Sequence, residues 1–342
     1  MTSNVRIEIS KERLLSDLKR IGVAKGDHLA VTLSFKSMGY IIGGPQTFID
    51  ALLEAVGSEG TIMMNTHTPS FNPSLMPTNY VFDRAKTMPS TGIVPTSIIK
   101  REDSIRSLHP TCSVACIGKM AEYLTIGHDE TSNSYLPYEK LAEIGGKYLA
   151  IGIENRLVAI RHEAQRQAGL FIVPNYLCAN FRDQEGNIKL HVQLRPPCAK
   201  KLPELVPKLE AKGVIKRGDI GMAHSIIASA DELLYHMSAM LKENPSLNLC
   251  DDLSCIMCRE LERRMKLYGR IENPKLFQKN ILIRTVLSWR NRLLLRRLNS
   301  FNPTKTPNMI TKISQTIIAF LGENRVQREK IRNEITFKRI KP

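Results

Sequence analysis

The stretch from Thr32 to His67 constrains the fold most, because strand, turn, helix and strand patterns follow one another directly. The apolar segment His28–Leu33 leads into a serine-rich turn and then into the pair Gly43-Gly44. Apolar residues next recur at helical spacing as far as Gly57, which suits the position just after a helix. A second apolar segment, Thr61–Asn65, follows. Strands that alternate with helices in this way predict an α/β fold, a layered sheet with flanking helices.

The turn between the first strand and the helix carries groups that suit an anion. Ser34 and Ser37 supply hydroxyls, Lys36 supplies a cation, and Gly43 and Gly44 precede the helix. A helix N-terminus attracts anions because its first N–H groups are unpaired and its dipole is positive there. We therefore predict a phosphate-binding segment at this turn. The structural alternative is that the glycines only allow a tight strand-to-helix connection.

Further elements are expected along the chain, with a long Pro/Ser/Thr/Asn-rich loop at residues 67–92 that we predict to be functional or mobile. Ser229 and Glu232 have the spacing of a capping box at the start of the last helix. The predicted helices and strands are a helix at Ser10–Ile21, strands at Thr111–Ile117 and Tyr148–Ile153, and helices at Pro203–Gly213 and Ser229–Leu241.

The formal net charge of +16 is concentrated at one end of the chain. Residues 275–342 hold 16 Lys/Arg against 3 Glu, a net +13, whereas residues 1–274 hold 33 basic and 30 acidic residues, a net +3. This split predicts two regions. Residues 1–250 form the main domain, and residues 251–342 form a cysteine-containing linker with a basic helical extension.

Within that extension, Ile281–Leu298 has apolar residues at helical spacing with arginines around them. A basic amphipathic helix contacts the main domain, a second copy of the chain, or an anionic membrane surface. Nucleic-acid binding is not expected, because aromatic residues do not interleave with the arginines. The sequence also lacks a signal peptide and a long apolar run, so we expect a cytoplasmic protein, with peripheral contact at the inner membrane surface as an option.

Four later segments and the opening stretch from Thr32 to His67 together resemble the aminoglycoside 3-N-acetyltransferase family. The resemblance covers a region from about Leu15 to Asn244. The segments are TGIVPTSI, RSLHPTCSVACIG, LPYEKLAEIGGKYLAIGI and GDIGMAHSIIASADELLYHMSAML. The resemblance implies an acetyl-CoA-dependent N-acetyltransferase with an antibiotic N-acetyltransferase fold rather than a GNAT fold. It assigns Ser34, Lys36, Ser37, Gly43 and Gly44 to the coenzyme A segment.

The resemblance also implies a catalytic histidine, His162, which activates the acceptor amine. The family pattern T-x-L-H-x-A-E reads here with Ala159, Arg161 and Gln165 in place of its Thr, Leu and Glu. Gln165 lies three residues beyond His162, so on a helix it can hydrogen-bond the ring without stabilising a positive charge. Glu163 carries a negative charge that would stabilise the imidazolium, and it is a further catalytic candidate. Adjacent helical residues point about 100° apart, so Glu163 is badly placed to orient the ring. The structural alternative for His162 is an exposed histidine on a solvated helix.

Two further groups of residues are candidates for the site. The resemblance places His109 in the His-Pro step and Ser113 near the bound cofactor. His109 is also the second candidate for the base, and a structural turn histidine is its alternative. The second group lines the acceptor side, where carboxylates pair with the ammonium groups of a polycationic substrate. Its members are His128, Asp129, Glu130 and Glu139. For these acidic residues, a solvated loop is the structural alternative.

Cys250, Cys255 and Cys258 form C-x4-C-x2-C, part of a thiolate metal site. A four-coordinate zinc site needs a fourth ligand, for which His236 or His224 is a candidate. Packing of reduced thiols is the alternative, so the presence of a metal stays open at this point.

The resemblance predicts N-acetylation at position 3 of an aminoglycoside. One alternative acceptor is an amino sugar or nucleotide-linked sugar of surface polysaccharide synthesis. A third possibility is a catalytically inactive family member that binds a partner or a membrane through its basic extension.

Overall fold

A mixed sheet of seven strands forms the centre of the computed structural model, which describes residues 7–77 and 79–268. The strands are β1 Glu8–Ile9, β2 His28–Leu33, β3 Tyr40–Ile41, β4 Thr61–Asn65, β5 Val81–Phe82, β6 Ile105–Arg106, β7 Val114–Gly118, β8 Lys147–Ile151, β9 Tyr176–Arg182, β10 Ile188–Leu194, β11 Ile215–Ile220 and β12 Ala223–Ser229. The α-helices are α1 Lys11–Ile21, α2 Gly44–Val56, α3 Ile93–Ile98, α4 Ala121–Thr125, α5 Leu136–Glu143, α6 Ile160–Gln167, α7 Leu205–Ala211, α8 Ala230–Glu243 and α9 Ile256–Tyr268.

The strand order of the central sheet is β11-β12-β8-β2-β4-β7-β6. Its three middle strands, β8, β2 and β4, are parallel to one another, and the outer strands run antiparallel to their neighbours. The carboxyl ends of β8, β2 and β4 therefore share one edge of the sheet. Because β7 is antiparallel to β4, its first residue, Val114, lies opposite Asn65 at the same edge. Four chain segments that are distant in sequence meet there.

Side chains on the two faces of the sheet build two apolar cores, as expected for a strand buried on both sides. Along β2, Leu29 and Val31 pack on the side of α1 and α2, whereas Ala30 packs on the side of α5, α6 and α8. This arrangement confirms the predicted α/β fold with helices on both faces.

The local predictions for the first third of the chain are confirmed. Strands β2 and β4 have the predicted bounds. Helix α1 begins after Ser10, whose hydroxyl accepts a hydrogen bond from the N–H of Arg13, and ends at Gly22 in the left-handed conformation. Helix α2 likewise ends at Gly57, whose N–H donates to the Leu53 carbonyl.

Two predicted strands are shorter than expected, each for a local reason. The strand predicted from Thr111 begins only at Val114, because the N–H groups of Thr111 and Cys112 donate to Nδ1 of His109 in a turn. The strand predicted from Tyr148 to Ile153 ends at Ile151, because Gly152 turns the chain with a φ of 68°.

The later helices also differ from the prediction at their starts. Helix α7 covers Leu205–Ala211, preceded by a 3₁₀ turn at Leu202–Glu204, rather than beginning at Pro203. Ser229 does precede α8, but its hydroxyl hydrogen-bonds the Asp231 carboxylate and caps no backbone N–H. The capping box predicted for Ser229 and Glu232 is therefore wrong.

The hairpin of β9 and β10 was not predicted from the sequence. It pairs in register from Ile188 opposite Arg182 to Leu194 opposite Tyr176, and β5 joins β9 to make a three-stranded sheet. Strand β5 comes from the long loop at residues 67–92, which is therefore partly ordered by pairing. The hairpin and this loop cover the edge where the carboxyl ends of the central strands meet: Phe71 and Cys178 bridge the two, and Thr111 contacts Gln193.

The packed fold continues past residue 250, which we predicted as the end of the main domain. Helix α9 buries Cys258, Leu261 and Arg264. The predicted basic helix at Ile281–Leu298 lies outside the described residues. Within the described ranges, we find no helix of the length and apolar character needed to cross a bilayer.

Candidate active site

Two chain segments that carry predicted site residues leave the sheet side by side. Leu33, the last residue of β2, lies in register with Ile151, the last residue of β8. The N–H of Ser34 then donates to the carbonyl of Ile151 over 2.9 Å. A Cβ atom on Gly152 would overlap the Ser37 side chain, so glycine is required where the two segments cross. The serine turn and the segment that leads to His162 are thus in direct contact.

The predicted anion-binding turn has an open helix N-terminus. Gly43 adopts the left-handed conformation, with φ 79° and ψ 0°, and offers no side chain to cap α2. Gly44 has a φ of 69°, and a Cβ atom placed on it would have no neighbour within 4 Å. The Lys36 side chain is exposed nearby in sequence, whereas the Ser37 hydroxyl donates to the Ser34 carbonyl over 2.7 Å. The space beside Gly44 is therefore open, and the residue before α2 provides no side-chain cap, which are two features of a helix start that binds a phosphate group.

His162 lies in the first turn of α6, immediately after a strained backbone turn. Ala159 has φ 63° and ψ −53°, and the N–H of Ile160 donates to the carbonyl of Val158 over 2.8 Å. These features define a γ-turn of the rare, strained kind. Such strain persists only where the surrounding structure imposes it, and it is found most often at functional sites. Here the turn places His162 in a half-buried position at the start of a helix.

Gln165 holds the imidazole of His162, as its spacing predicted. Nδ1 of His162 lies 2.6 Å from Oε1 of Gln165. The amide nitrogen of Gln165 donates to the Cys198 carbonyl over 3.0 Å and to Oδ1 of Asn248. Because both acceptors require the amide nitrogen, the amide oxygen must face the ring. Nδ1 therefore carries the proton, and Nε2 presents a lone pair.

Nε2 of His162 has a cation beside it. Nε of Arg161 lies 3.5 Å from this atom, at the outer limit of a hydrogen bond. Burial and, secondly, the positive charge of Arg161 lower the pKa of His162 from 6.5 to about 3, while the bond to Gln165 opposes this shift. The ring is consequently neutral at pH 7 and can accept a proton at Nε2.

Glu163 does not support the His162 ring directly. Its carboxylate is fully buried and accepts hydrogen bonds from Arg166, Asn133 and Gln167 at 2.6 to 3.1 Å. Asn133 in turn accepts the N–H of Tyr135 over 3.0 Å. The Tyr135 ring packs against His162 with a centroid separation of 5.3 Å. The Glu163 carboxylate therefore bonds to Arg166, Asn133 and Gln167 rather than to the His162 ring, in keeping with the angle of about 100° between adjacent helical residues.

His109 and Ser113 are fully buried, so the structure gives neither side chain a surface for a bound cofactor. Nδ1 of His109 accepts the N–H of Cys112 over 3.0 Å, which corresponds to the turn histidine considered as the alternative. The Ser113 hydroxyl donates to the Thr66 carbonyl over 2.8 Å and accepts from Nε of Arg106 over 3.2 Å. Both residues hold together the edge of the sheet beneath the site.

His109 belongs to a cluster of buried imidazoles that the sequence did not reveal. Its ring stacks on His128 at 4.8 Å and meets His191 edge-on at 4.9 Å. Oε1 of Gln193 accepts from Thr111 at 2.8 Å and lies 3.1 Å from Nε2 of His191. The alternation of apolar and polar residues along β10 was the available signal, since it places His191 and Gln193 on one face. Burial lowers the pKa of all three imidazoles below 6.5, that of His128 to about 3, so this cluster is uncharged at neutral pH.

The residues predicted to line the acceptor side have contacts of their own within the protein. Nδ1 of His128 lies 2.9 Å from the Ser107 hydroxyl, inside the cluster. Asp129 accepts from the N–H and hydroxyl of Thr131, and Glu139 pairs with Arg166 at 2.9 Å. Glu130 is half-buried. His128 is therefore enclosed in the protein, and the Glu139 carboxylate is already paired with a cation.

The three cysteines of the C-terminal motif meet a fourth cysteine. The sulfur atoms of Cys198, Cys250, Cys255 and Cys258 all lie within 4.8 Å of one another. Neither histidine suggested as a fourth ligand belongs to the group, and His224 pairs instead with Asp219 over 2.8 Å. The distance in sequence between Cys198 and the motif concealed this cluster.

Comparison with known proteins gives consistent matches over the main body of the chain. The sequence profile of the aminoglycoside 3-N-acetyltransferase family matches residues 30–242. Aminoglycoside N(3)-acetyltransferase VIII of Streptomyces fradiae is 29% identical over 176 residues, which are 47% of this chain and 62% of that protein. Aminoglycoside N(3)-acetyltransferase VII of Streptomyces paromomycinus is 24% identical over 265 residues, 69% of this chain and 92% of that protein. The chain thus matches less than two thirds of the first relative and most of the second.

Solved structures of similar fold agree with this assignment. The acetyltransferase AAC-IIIb, determined as a binary complex with CoASH, has a TM-score of 0.61 at 22% identity over 69% of this chain and 97% of its own. The apoenzyme of aminoglycoside acetyltransferase AAC(3)-IVa has a TM-score of 0.64 at 22% identity over 76% of this chain and 99% of its own. With a profile match over more than half of its length and this shared fold, the chain belongs to the aminoglycoside 3-N-acetyltransferase family.

Proposed function

We propose that the protein is an acetyl-CoA-dependent N-acetyltransferase that acts on the 3-amino group of an aminoglycoside. The observation that carries the proposal is the fixed tautomer of His162, in which the Gln165 amide holds Nδ1–H and the unprotonated Nε2 is the atom that can accept a proton. Family membership supplies the reaction class and the acceptor. The named relatives are aminoglycoside N(3)-acetyltransferases, and solved neighbours include a complex with sisomicin.

In this reaction His162 acts as the general base. An ammonium group has no lone pair, so the acceptor first releases one proton to solvent. The neutral amine then attacks the thioester carbon, and its nitrogen must lose a second proton as the C–N bond forms and the C–S bond breaks. Nε2 of His162 accepts that proton, and the resulting imidazolium keeps its Nδ1–H bond to Gln165. The proton then passes to the departing thiolate, which restores the neutral ring.

The serine and glycine turn is the proposed binding segment for acetyl-CoA, which supplies the acetyl group. The free space in front of Gly44 and the uncapped start of α2 suit a phosphate. Lys36 adds a positive charge, and Ser34 and Ser37 border the crossing with Gly152. His109 and Ser113 are buried beneath this segment, and their proposed contribution to acetyl-CoA binding is to hold the edge of the sheet in place.

Glu163 is proposed as a positioning residue. It fixes Asn133, which holds the backbone of Tyr135, and the Tyr135 ring packs on His162. Its effect on catalysis is therefore transmitted through the packing of the ring rather than through a direct charge.

A second acceptor class is favoured by one specific observation, the guanidinium of Arg161 near Nε2 of His162. A cation at this position repels a polycationic aminoglycoside and attracts a phosphate. An amino sugar linked to a nucleotide is thus the alternative acceptor.

We propose further that the protein works in the cytoplasm. Its basic extension at residues 275–342 is then the region that contacts a second copy or the inner membrane surface. Sedimentation of the full chain and of a chain that ends at residue 274, each with anionic vesicles, tests this. Equal binding by both would contradict a role for the extension.

Acceptor profiling tests the main proposal. The purified chain is incubated with acetyl-CoA and with gentamicin, sisomicin or a nucleotide-linked amino sugar, and loss of the thioester absorbance is followed. We expect turnover of the aminoglycosides, with the acetyl group at N3 by mass spectrometry and NMR. Turnover of the nucleotide-linked sugar alone would favour the second class, and no turnover of any acceptor would contradict both enzymatic assignments.

A further inference from the structure

Four cysteine sulfurs converge beside the candidate active site, although they come from two distant parts of the sequence. Cys198 follows β10, whereas Cys250, Cys255 and Cys258 surround the start of α9. All four sulfurs lie within 4.8 Å of one another, and those of Cys250 and Cys258 are 3.5 Å apart. We propose that these four residues bind one Zn²⁺ ion as thiolates and that the bound ion fixes the groups that orient Gln165.

The spacing of the sulfurs suits a single metal ion. Four sulfurs about 2.3 Å from a central zinc lie about 3.8 Å from one another in a tetrahedron. The Cys250 and Cys258 sulfurs are 3.5 Å apart, and no pair of the four is separated by more than 4.8 Å. These separations suit one central ion and are too small for an iron–sulfur cluster, in which the cysteine sulfurs surround several metal atoms. Among single ions, zinc binds a given set of ligands more tightly than ferrous iron does. Each ligating thiol releases its proton to solvent when the ion binds.

The surroundings of the sulfurs are also those of a metal site. The N–H of Cys250 donates to the sulfur of Cys258 over 3.3 Å, a contact that stabilises a thiolate. Cys255 and Cys258 have the C-x2-C spacing of zinc knuckles, at the start of a 13-residue helix whose dipole favours negative charge. Cys198 and Cys255 also line a surface cavity of about 440 Å³, which provides a path for the ion.

The metal site would join the loop after β10 to the start of α9, two segments that are otherwise connected by exposed ion pairs. Lys200 pairs with Asp252 at 2.7 Å and Lys201 with Asp251 at 2.8 Å across the same junction. Ion pairs with this exposure contribute little to stability. A tetrathiolate ion at the junction would be the dominant connection between the loop after β10 and α9.

This junction supplies both acceptors of the Gln165 amide. One is the backbone carbonyl of Cys198 itself, and the other is the side chain of Asn248, two residues before Cys250. A zinc ion would therefore hold the two groups that set the orientation of Gln165, and through it the tautomer of His162. This coupling rests on the function proposed above, whereas zinc binding itself does not.

Metal content of the purified full chain tests the site directly. After gel filtration in metal-free buffer, mass spectrometry of the metals should find one zinc per chain in the wild type. Cys255→Ala should lose the ion, and Cys255→His should retain it because imidazole replaces a thiolate in zinc sites. Cys178→Ser is the matched control, since Cys178 lies outside the cluster and serine can still donate to the Phe71 carbonyl. It should keep the full zinc content.

Cobalt exchange supplies a second measurement that does not depend on how well the variants fold. Co²⁺ in the wild type should give the sulfur-to-cobalt charge-transfer absorption and the visible bands of a tetrahedral thiolate site. A wild-type protein that contains no zinc and gives no such bands would overturn the proposal. Iron in place of zinc, or an unchanged zinc content in Cys255→Ala, would overturn it equally.

The coupling to His162 has its own readout. Removal of zinc with a chelator should lower kcat for acetyl transfer by about 10-fold or more, with little change in the KM for acetyl-CoA. Readdition of zinc should restore kcat. A zinc-free protein with unchanged kcat would overturn the coupling, while the zinc content would still decide the metal site even if no acetyl transfer were found.

Discussion

Nδ1 of His162 lies 2.6 Å from Oε1 of Gln165, one helical turn away on α6. The amide of Gln165 has no rotational freedom, because its nitrogen donates to both Cys198 and Asn248. A neutral glutamine thus selects the tautomer of the histidine without adding a charge. This differs from the glutamate that the family pattern carries at the same position, and it makes the orientation of the ring depend on a hydrogen-bond network.

Gln165→Leu should lower kcat by about 10²-fold, because Nδ1–H loses its acceptor and the wrong tautomer becomes populated. It should also destabilise the fold by about 1–3 kcal/mol, since the Cys198 carbonyl and Asn248 lose their donor. Steady-state kinetics and urea unfolding measure the two effects. Gln167→Leu on the same helix, which loses a bond only to Glu163, should leave kcat near the wild-type value. Equal effects of the two changes would contradict a specific role for Gln165.

Arg161→Leu should move the acidic limb of the kcat/KM profile to higher pH. The pKa of His162 is lowered to about 3 by burial and by the positive charge of Arg161, with Gln165 opposing and His67 adding to the shift. Removing the Arg161 cation makes the imidazolium less unfavourable, so the pKa rises toward 6.5 and protonation removes the base at a higher pH.

The profile is measured with one acceptor for the wild type, Arg161→Leu and the control Lys119→Leu. Lys119 pairs with Glu59 at the opposite edge of the sheet, so its replacement removes the same charge far from the ring. A limb that stays in place in Arg161→Leu, or that moves as far in the control, would count against the assigned electrostatics.

Gly44→Ala should weaken acetyl-CoA binding by about 10-fold or more, because the new methyl group occupies the free space in front of α2. The change also places an alanine at a φ of 69°, which costs about 1 kcal/mol. Gly127→Ala is a matched control, since Gly127 has the same φ of 69° and equally open surroundings. Calorimetric titration with acetyl-CoA should show weaker binding by Gly44→Ala than by Gly127→Ala. Equal affinities in both variants would exclude this turn as the binding segment.

Glu163→Ala should destabilise the fold by about 2–3 kcal/mol, because Arg166, Asn133 and Gln167 lose a buried acceptor. Its kcat should fall less than that of a His162 variant, since Glu163 makes no contact with the ring. Glu139→Gln removes the more exposed partner of Arg166 and should cost under about 1 kcal/mol. Thermal unfolding together with kinetics gives both quantities. A loss of kcat as large as that of a His162 variant, in a stable Glu163→Ala protein, would show a direct catalytic role.

Features set by nearby residues were predictable from the sequence. The cap of α1 at Ser10, the bounds of β2 and β4, and the contact between His162 and Gln165 all depend on residues within a few positions of each other. Local pattern was also enough to place Gly43 and Gly44 at a helix start.

Features that depend on distant parts of the chain were not predictable in this way. Cys198 joins a motif 52 residues later only because the hairpin of β9 and β10 returns to the start of α9. The sequence suggested that Glu139 pairs with an ammonium group of the acceptor, yet the fold pairs Glu139 with Arg166 instead. The burial of His109 and Ser113 likewise follows from tertiary packing that no local pattern encodes.

The most direct test of the account is the rate of acetyl transfer by His162→Asn, measured at saturating acetyl-CoA alongside its affinity for acetyl-CoA. Asparagine can still hydrogen-bond Gln165 but cannot accept a proton near neutral pH. We predict a loss in kcat of about 10²-fold or more with unchanged binding of acetyl-CoA. A variant that transfers acetyl groups to an aminoglycoside at the wild-type rate would contradict the account.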